Sequence, residues 1–185
     1  MEDALGRDVV LRKPSAKYAE QIREYKSSFS PHFDRLHGAR GLADCDDPME
    51  WLDLVKKYES DPELIAKSEN SSQFIYVRTS DGKIVGMACV RAEPTEDKYS
   101  FGGHISYSVA PKERMRGYAT RMLHDILPYC HDEMGISKAI ISLDTKDFGS
   151  IKVVVANGGE FKQFRSSHKH HVLVSEYWID LSWMG

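Results

Sequence analysis

The 185-residue sequence predicts a mixed α/β protein, a mostly antiparallel sheet with flanking helices, in one domain spanning 1–185. Three observations carry this. Gln73 to Arg78 (QFIYVR) and Lys83 to Arg91 (KIVGMACVR) are β-rich runs joined by Asp81-Gly82, a strong hairpin signal. A 3.6-period apolar stripe, Met115, Tyr118, Ala119, Met122, Leu123, Ile126 and Leu127, follows the strand-like His104 to Val109. Lys138 to Leu143 (KAIISL) is then nearly all apolar, as expected of a strand buried on both faces.

Taken in order, Asp8 to Lys13 (DVVLRK), stopped by Pro14, suits a short edge strand. Ser15 can cap a helix whose apolar positions are Tyr18, Ala19, Ile22, Tyr25 and Phe29. Ser30 to Asp46, with Pro31, Gly38 and Gly41, reads as a loop that is mobile or covers a site. Asp47-Pro48-Met49-Glu50 signals a second helix: Asp47 as N-cap, Pro48 at the first helical position, Glu50 reaching back, then Trp51, Leu52, Val55 and Tyr58 as its stripe. Gly86 suggests a bulge or a close backbone approach in the hairpin's second strand. Glu93 to Tyr99 is a polar surface connection. His104 to Val109 places Ile105, Tyr107 and Val109 on one face and His104, Ser106 and Ser108 on the other, a polar face fit to line a cleft. Pro128 removes a donor and crowds the carbonyl of His124, so a kink or break is expected there. Asp147 caps a short helix through Ala156 that Asn157-Gly158-Gly159 ends, and two strands follow, near Phe161 to Arg165 and Val172 to Leu181.

Composition narrows the function classes. A net charge of −3 without a dominant basic face disfavours a nucleic-acid partner. Cys45, Cys89 and Cys130 show no CxxC spacing, which argues against a zinc ribbon and for reduced thiols in a cytoplasmic protein. MEDALGRD lacks the character of a signal peptide, and no apolar run is long enough for a membrane span. His168, His170 and His171 have no acidic or thiol residue close in sequence to complete a metal site, so solvated turn histidines are expected and no metal.

The stretch FGGHISYSVAPKERMRGYATRMLHDIL, Phe101 to Leu127, runs from strand through a basic turn into a helix. Arg114-Met115-Arg116-Gly117-Tyr118-Ala119 fits R/Q-x-x-G-x-G/A, and in this setting N–H groups from Met115 to Thr120 can surround a diphosphate. Gly117 lets the backbone approach the anion, Ala119 lets the helix sit near the strand, and Lys112, Arg114 and Arg116 add charge. Neither a Walker A sequence nor G-x-G-x-x-G is present.

VAPKERMRGYATRML resembles the acyl-CoA-binding motif of the GNAT superfamily of N-acetyltransferases, and with the later DTKDFGSIKVVVANGG it is similar to a group of bacterial predicted acetyltransferases. The similarity covers about Gln73 to Leu181. It implies the GNAT-like acyl-CoA N-acyltransferase fold, acetyl-CoA as acyl donor and transfer of acetyl to an amine. It also implies that the strands at His104 to Val109 and Lys138 to Leu143 splay, with the pantetheine arm pairing near Ser108 and Val109. The turn, Arg114, Met115, Arg116, Gly117, Tyr118, Ala119 and Thr120, would hold the pyrophosphate. Asp147 and Ser150 fall where relatives have N-x-x-S near the pantetheine; Asp147 offers no amide donor and brings a negative charge.

An alkyl amine with a pKa near 10.4 is mostly protonated at pH 7, a handicap of roughly 4 to 5 kcal/mol for attack on a thioester. His104, on the polar face, is the first candidate for the base, weighed against a purely structural histidine. Many relatives protonate the leaving thiolate with a tyrosine four residues after the Ser150 position, but here Val154 stands there. Tyr107 and Tyr177 are the substitute donors, with a core role for Tyr107 as the competing reading; otherwise the thiolate leaves without a protein acid, helped by a pKa of about 8.5. The expected partner is a small-molecule amine. The alternatives are a protein or aminoacyl-tRNA amine, or a non-catalytic acyl-CoA-binding or regulatory module. Edge strands, which often pair in dimers in this superfamily, allow a homodimer.

Overall fold

A computed structural model describes residues 8–32 and 34–184. The acidic opening residues 1–7, read above as lacking a signal peptide, lie outside the described residues. Seven strands and five α-helices follow in the order β1 (Val9–Arg12), α1 (Ala19–Ser27), α2 (Pro48–Ser60), α3 (Pro62–Ala66), β2 (Ser71–Arg78), β3 (Ile84–Arg91), β4 (Ile105–Val109), α4 (Tyr118–Asp132), β5 (Lys138–Asp144), α5 (Phe148–Ala156), β6 (Glu160–Ser167) and β7 (Val172–Asp180). The expected element order holds, with one helix missed. Asp61-Pro62-Glu63 repeats the start signal of Asp47-Pro48, and Asp61 accepts the N–H groups of Glu63 and Leu64 to cap α3.

The strands form two sheets, an antiparallel β1-β2-β3-β4 and a three-stranded β5-β7-β6. Alternation in the first sheet sorts its side chains between two cores. Phe74, Tyr76, Val85, Ala88, Ile105, Tyr107 and Val109 meet the stripe of α4, Met122, Leu123, Ile126 and Leu127. Ile75, Val77, Ile84 and Met87 on the opposite face meet Ile22 and Tyr25 of α1 and the fully buried Trp51 of α2. The irregularity expected at Gly86 is present twice over. The β2–β3 register shifts between Tyr76 and Val77, and a Cβ on Gly86 would stand 3.0 Å from the sulfur of Met122.

Two local expectations change. Met115 is not part of the α4 stripe: it has φ 63° and is fully exposed, and the helix begins at Tyr118. Pro128 does not break α4, which continues to Asp132. The residues beyond it are held by packing, because Cys130 is fully buried and Tyr129 lies edge-on to Phe74 with its hydroxyl 2.7 Å from the Ser72 hydroxyl. Those contacts offset the hydrogen bond that proline removes.

Candidate active site

The site is set by where β4 meets β5 and where it leaves it. At its start, Gly103 makes a bridge to Ile141, and a Cβ on Gly103 would lie 2.7 Å from the carbonyl of Ile140, so only glycine permits this approach. The N–H of His104 donates to the Ile140 carbonyl at 2.7 Å, and the Ile140 N–H donates back to Nδ1 of His104 at 3.0 Å. Past this clip the two sheets part. The His104 carbonyl accepts from Arg91 at 2.7 Å and the Ala110 N–H donates to Val85 at 3.0 Å. Antiparallel alternation between those two bonds turns the N–H and C=O groups of Ile105, Tyr107 and Val109 away from β3, toward the gap.

This geometry revises two sequence assignments. A backbone N–H can only donate, so Nδ1 of His104 is unprotonated and its lone pair is in use. The neutral ring then carries its proton on Nε2, and burial holds its pKa below the ordinary value. As folded, His104 has no free lone pair for an amine proton; it fastens the two sheets. Ser108 turns its backbone toward β3, its hydroxyl donates to the His37 carbonyl, and its carbonyl accepts from the Tyr25 hydroxyl at 2.9 Å. Of the pair Ser108 and Val109, the second is the one at the gap edge.

Downstream, the 3-10 turn Pro111–Glu113 leads into the basic segment. Met115 and Gly117 both have positive φ, 63° and 80°, and α4 starts at Tyr118 with no side chain capping its first turn. The N–H groups of Tyr118, Ala119 and Thr120 are therefore among the unpaired donors every helix start has. They open on a solvent-exposed surface formed by Arg114, Met115, Arg116 and Gly117. Alternating left-handed residues before a 15-residue helix form the kind of concavity that takes an anionic oxygen. The arginines have separate tasks. Arg116 reaches the buried Glu113 at 3.1 Å, whereas Arg114 binds Asp34 at 2.9 Å and the Val109 carbonyl at 3.2 Å, tying the loop after α1 to the end of β4.

The far wall of the gap is the start of α5. Asp147 caps it, accepting from the Ser150 N–H at 2.9 Å and the Ser150 hydroxyl at 2.7 Å, so these two residues are engaged with each other. Tyr107, from β4, donates its hydroxyl to the Ser150 carbonyl at 3.2 Å, one turn before Val154. Burial pushes its pKa up, so the phenol keeps its proton. Val154 is fully buried against Gly159 and offers nothing to the gap. Tyr177 packs within the second sheet, edge-on to Phe161 at 5.8 Å, and among the described residues no hydrogen bond links it to β4 or α5.

The loop after α1, expected to be mobile or to cover a site, does the second, and sequence reasoning missed only His37 within it. The loop does not hang free: it crosses the polar face of β4 and closes it. Gly38, φ 70°, lies against the strand so closely that a Cβ would stand 2.5 Å from Cα of Tyr107 and 2.8 Å from the Ser106 carbonyl. Its carbonyl accepts from the Gln73 side chain at 2.6 Å, and Trp51 donates to the Arg40 carbonyl at 3.0 Å. His37 is thereby brought to the gap. The available signal was the pair of glycines, Gly38 and Gly41, both with positive φ. In the His-rich turn, His170 donates Nε2 to the carbonyls of Asp97 and Ser100, and among the described residues no three metal-binding side chains gather. A cavity of about 480 Å³ behind α1, lined by Ile22, Lys26, Phe29 and Leu36, has no wall from β4, β5 or α5 and is separate from this site.

Comparison with known proteins agrees with the geometry. No curated protein matches the sequence. The ribosomal-protein-S5-alanine acetyltransferase of Vibrio fischeri superposes with a TM-score of 0.71 at 15% identity, over 94% of this chain and 93% of that one. A microcin C7 self-immunity acetyltransferase in complex with acetyl-CoA and AMP gives 0.67 at 13%, over 94% and 92%. The dodecameric spermidine N-acetyltransferase of Vibrio cholerae gives 0.63 at 11%, over 95% of each. The profile of the Acetyltransferase (GNAT) family matches residues 36–154, well over half of the chain, and with the splayed strands and the open helix start this places the protein in the GNAT family of acyltransferases.

Proposed function

We propose that this chain transfers an acetyl group from acetyl-CoA to a primary amine of a small molecule. The observation that carries the reading is the continuous edge from Val109 through the left-handed turn at Met115 and Gly117 to the uncapped start of α4. On this reading the N–H groups from Met115 to Thr120, with Arg116 beside them, take the pyrophosphate. The gap-facing backbone of Tyr107 and Val109 pairs with the amides of the pantetheine arm. Bound there, acetyl-CoA supplies the reactive thioester; the chain orients it between β4 and the first turn of α5. Asp147 and Ser150 shape that turn, and the protonated phenol of Tyr107, on turning from the Ser150 carbonyl to which it donates, stands in for the tyrosine that Val154 replaces, as hydrogen-bond donor to the leaving sulfur. Tyr177 has no comparable path.

Calorimetric titration tests the reading. Acetyl-CoA is expected to bind at micromolar concentration, and Gly117→Glu, which sets a carboxylate in the anion cradle, to weaken it about a hundredfold, the equivalent of about 2.7 kcal/mol. A Cβ at Gly117 meets nothing within 4 Å, so the structural cost is that of a side chain at φ 80°, about 1–2 kcal/mol, and the melting midpoint of the variant is measured alongside. No binding by the wild type up to millimolar acetyl-CoA would remove the proposal.

The buried Val154 favours a second reading, a module that binds acyl-CoA without turnover. Binding with no thiol release against a broad amine panel would select it. The panel should include spermidine and an alanine-initiated peptide, because the acceptor class is open between small amines and protein N-termini.

A further inference from the structure

Resting on the acetyltransferase reading, we propose that His37 is a catalytic residue, the group that takes the proton from the acceptor amine. The segment that carries it is clamped on both sides. The His37 carbonyl accepts from Ser108, Gly38 is pressed on β4, and the Gly38 carbonyl accepts from Gln73. The residue is only partly exposed, its ring rests against Phe101 at 5.2 Å between centroids, and among the described residues neither ring nitrogen has a hydrogen-bond partner. A locked backbone under an uncommitted imidazole is the arrangement a general base needs.

The other candidates are committed. His104 has its Nδ1 lone pair on Ile140, Asp147 caps Ser150, and Asp97 is shared by Arg40 at 3.2 Å and Arg91 at 3.5 Å. His170 is anchored to the carbonyls of Asp97 and Ser100 in the β6–β7 turn and touches the Phe101 ring on its own account, whereas His37 sits at Ser106 to Ser108 of β4, beside the gap. The groups that face His37 are Arg35, Arg91 and His170, with Asp147 across the gap. Desolvation first, then Arg35, lowers its pKa to about 4, so at neutral pH the ring is unprotonated with a free lone pair, at some cost in basicity.

In the step assigned to it, the amine nitrogen bonds to the acetyl carbonyl carbon and the carbon–sulfur bond breaks with its electron pair on sulfur. The N–H proton moves to the unprotonated ring nitrogen of His37 and from there to solvent. Sulfur leaves as the thiolate, its thiol pKa being about 8.5, and gains its proton from the same solvent. The products are the acetylated amine and the free thiol.

The test compares wild type, His37→Ala and His37→Gln with acetyl-CoA and the amine panel. The expected result is a fall in kcat of about 10²-fold in both variants with KM for acetyl-CoA unchanged, and recovery of the alanine variant by added imidazole. Wild-type turnover in His37→Ala, or a loss that imidazole does not restore, would overturn the assignment while leaving the acetyltransferase reading intact. A wild type that acetylates no amine counts against the parent reading instead. In that case carbethoxylation by diethyl pyrocarbonate, read by peptide mass spectrometry, still decides the placement. Rapid modification of His37 that acetyl-CoA suppresses supports it, and modification indifferent to acetyl-CoA overturns it.

Discussion

Gly38→Ala is expected to cost about 3 kcal/mol of stability, the sum of about 1–2 for a side chain in the left-handed region and 1–3 for overpacking, and to lower the thermal midpoint by about 6–12 °C. The reasoning is local. Gly38 has φ 70°, and the added Cβ would meet Cα of Tyr107 at 2.5 Å, the Met87 carbonyl at 2.7 Å and the Ser106 carbonyl at 2.8 Å. All three are backbone atoms of paired strands, so none can swing aside as a side-chain end would. The loop must lift instead, which strains the Gln73 bond to the Gly38 carbonyl and the Ser108 bond to the His37 carbonyl. Gly41 is the informative control: its Cβ would meet only side chains, the end of Leu54, which can rotate, and the Tyr99 hydroxyl at 3.8 Å, although φ 82° is equally unfavourable for alanine. Gly41→Ala should therefore cost less. Calorimetric melting of both variants checks this, and an equal loss would mean that backbone conformation alone, not the approach to β4, sets the cost. Acetyl-CoA affinity should survive Gly38→Ala better than turnover does, because the anion turn at Gly117 lies beyond the end of β4, away from the Ser106–Tyr107 backbone on which Gly38 packs.

The contrast between these glycines shows what the sequence could reveal. The strand, turn and helix from His104 to Leu127 were legible because each signal is local: alternation in ISYSV, a glycine between arginines, then a 3.6-residue stripe. The parting of β4 from β5 followed only from family resemblance, although Gly102-Gly103 marked the place where one backbone touches another. His104 and His37 were not separable by pattern. Both are single histidines in polar surroundings, and what distinguishes them is a hydrogen bond from Ile140 across 36 positions and a loop fold fixed by Gly38. Pro128 was misjudged for the opposite reason, since a propensity rule was outweighed by the packing of Tyr129 and Cys130. Val154 is buried and has no hydroxyl to offer, and Tyr107 reaches the first turn of α5 from another strand, a contact no spacing within α5 could show.

Glu113→Gln should be the most destabilising change at the anion turn, about 3 kcal/mol and thus about 6–12 °C in thermal midpoint at pH 7. The carboxylate is 5% exposed and accepts from Lys83 at 2.7 Å and Arg78 at 2.9 Å, with Arg116 at 3.1 Å. Removing its charge leaves three cations facing one another. The loss falls short of the largest values for broken buried pairs because Arg78 keeps Asp81 and Lys83 is 41% exposed. A pH series separates this charge effect from mere loss of shape. The Lys83 bond, then the Arg78 bond, hold the Glu113 pKa below its ordinary 4.5. A group depressed in the folded state contributes its stability fully above the unfolded value and loses it as pH falls through the folded one. The difference in midpoint between wild type and Glu113→Gln should therefore be constant from pH 7 to about 5 and shrink below pH 4.5. Asp34, Asp44, Asp81 and Glu96 also have lowered pKa values, but they are present in both proteins and largely cancel in the difference. Asp81 is the exception, since it shares Arg78 and should titrate lower still once Glu113 is neutral. A gap that persists unchanged at pH 3.5 would show that glutamine fails through geometry and not charge. The same charge bears on the ligand, because Glu113 holds Arg116 beside the first turn of α4. Freed of its partner, Arg116 gains reach toward a bound pyrophosphate while losing its fixed position, so the acetyl-CoA affinity of folded Glu113→Gln should change far less than its stability.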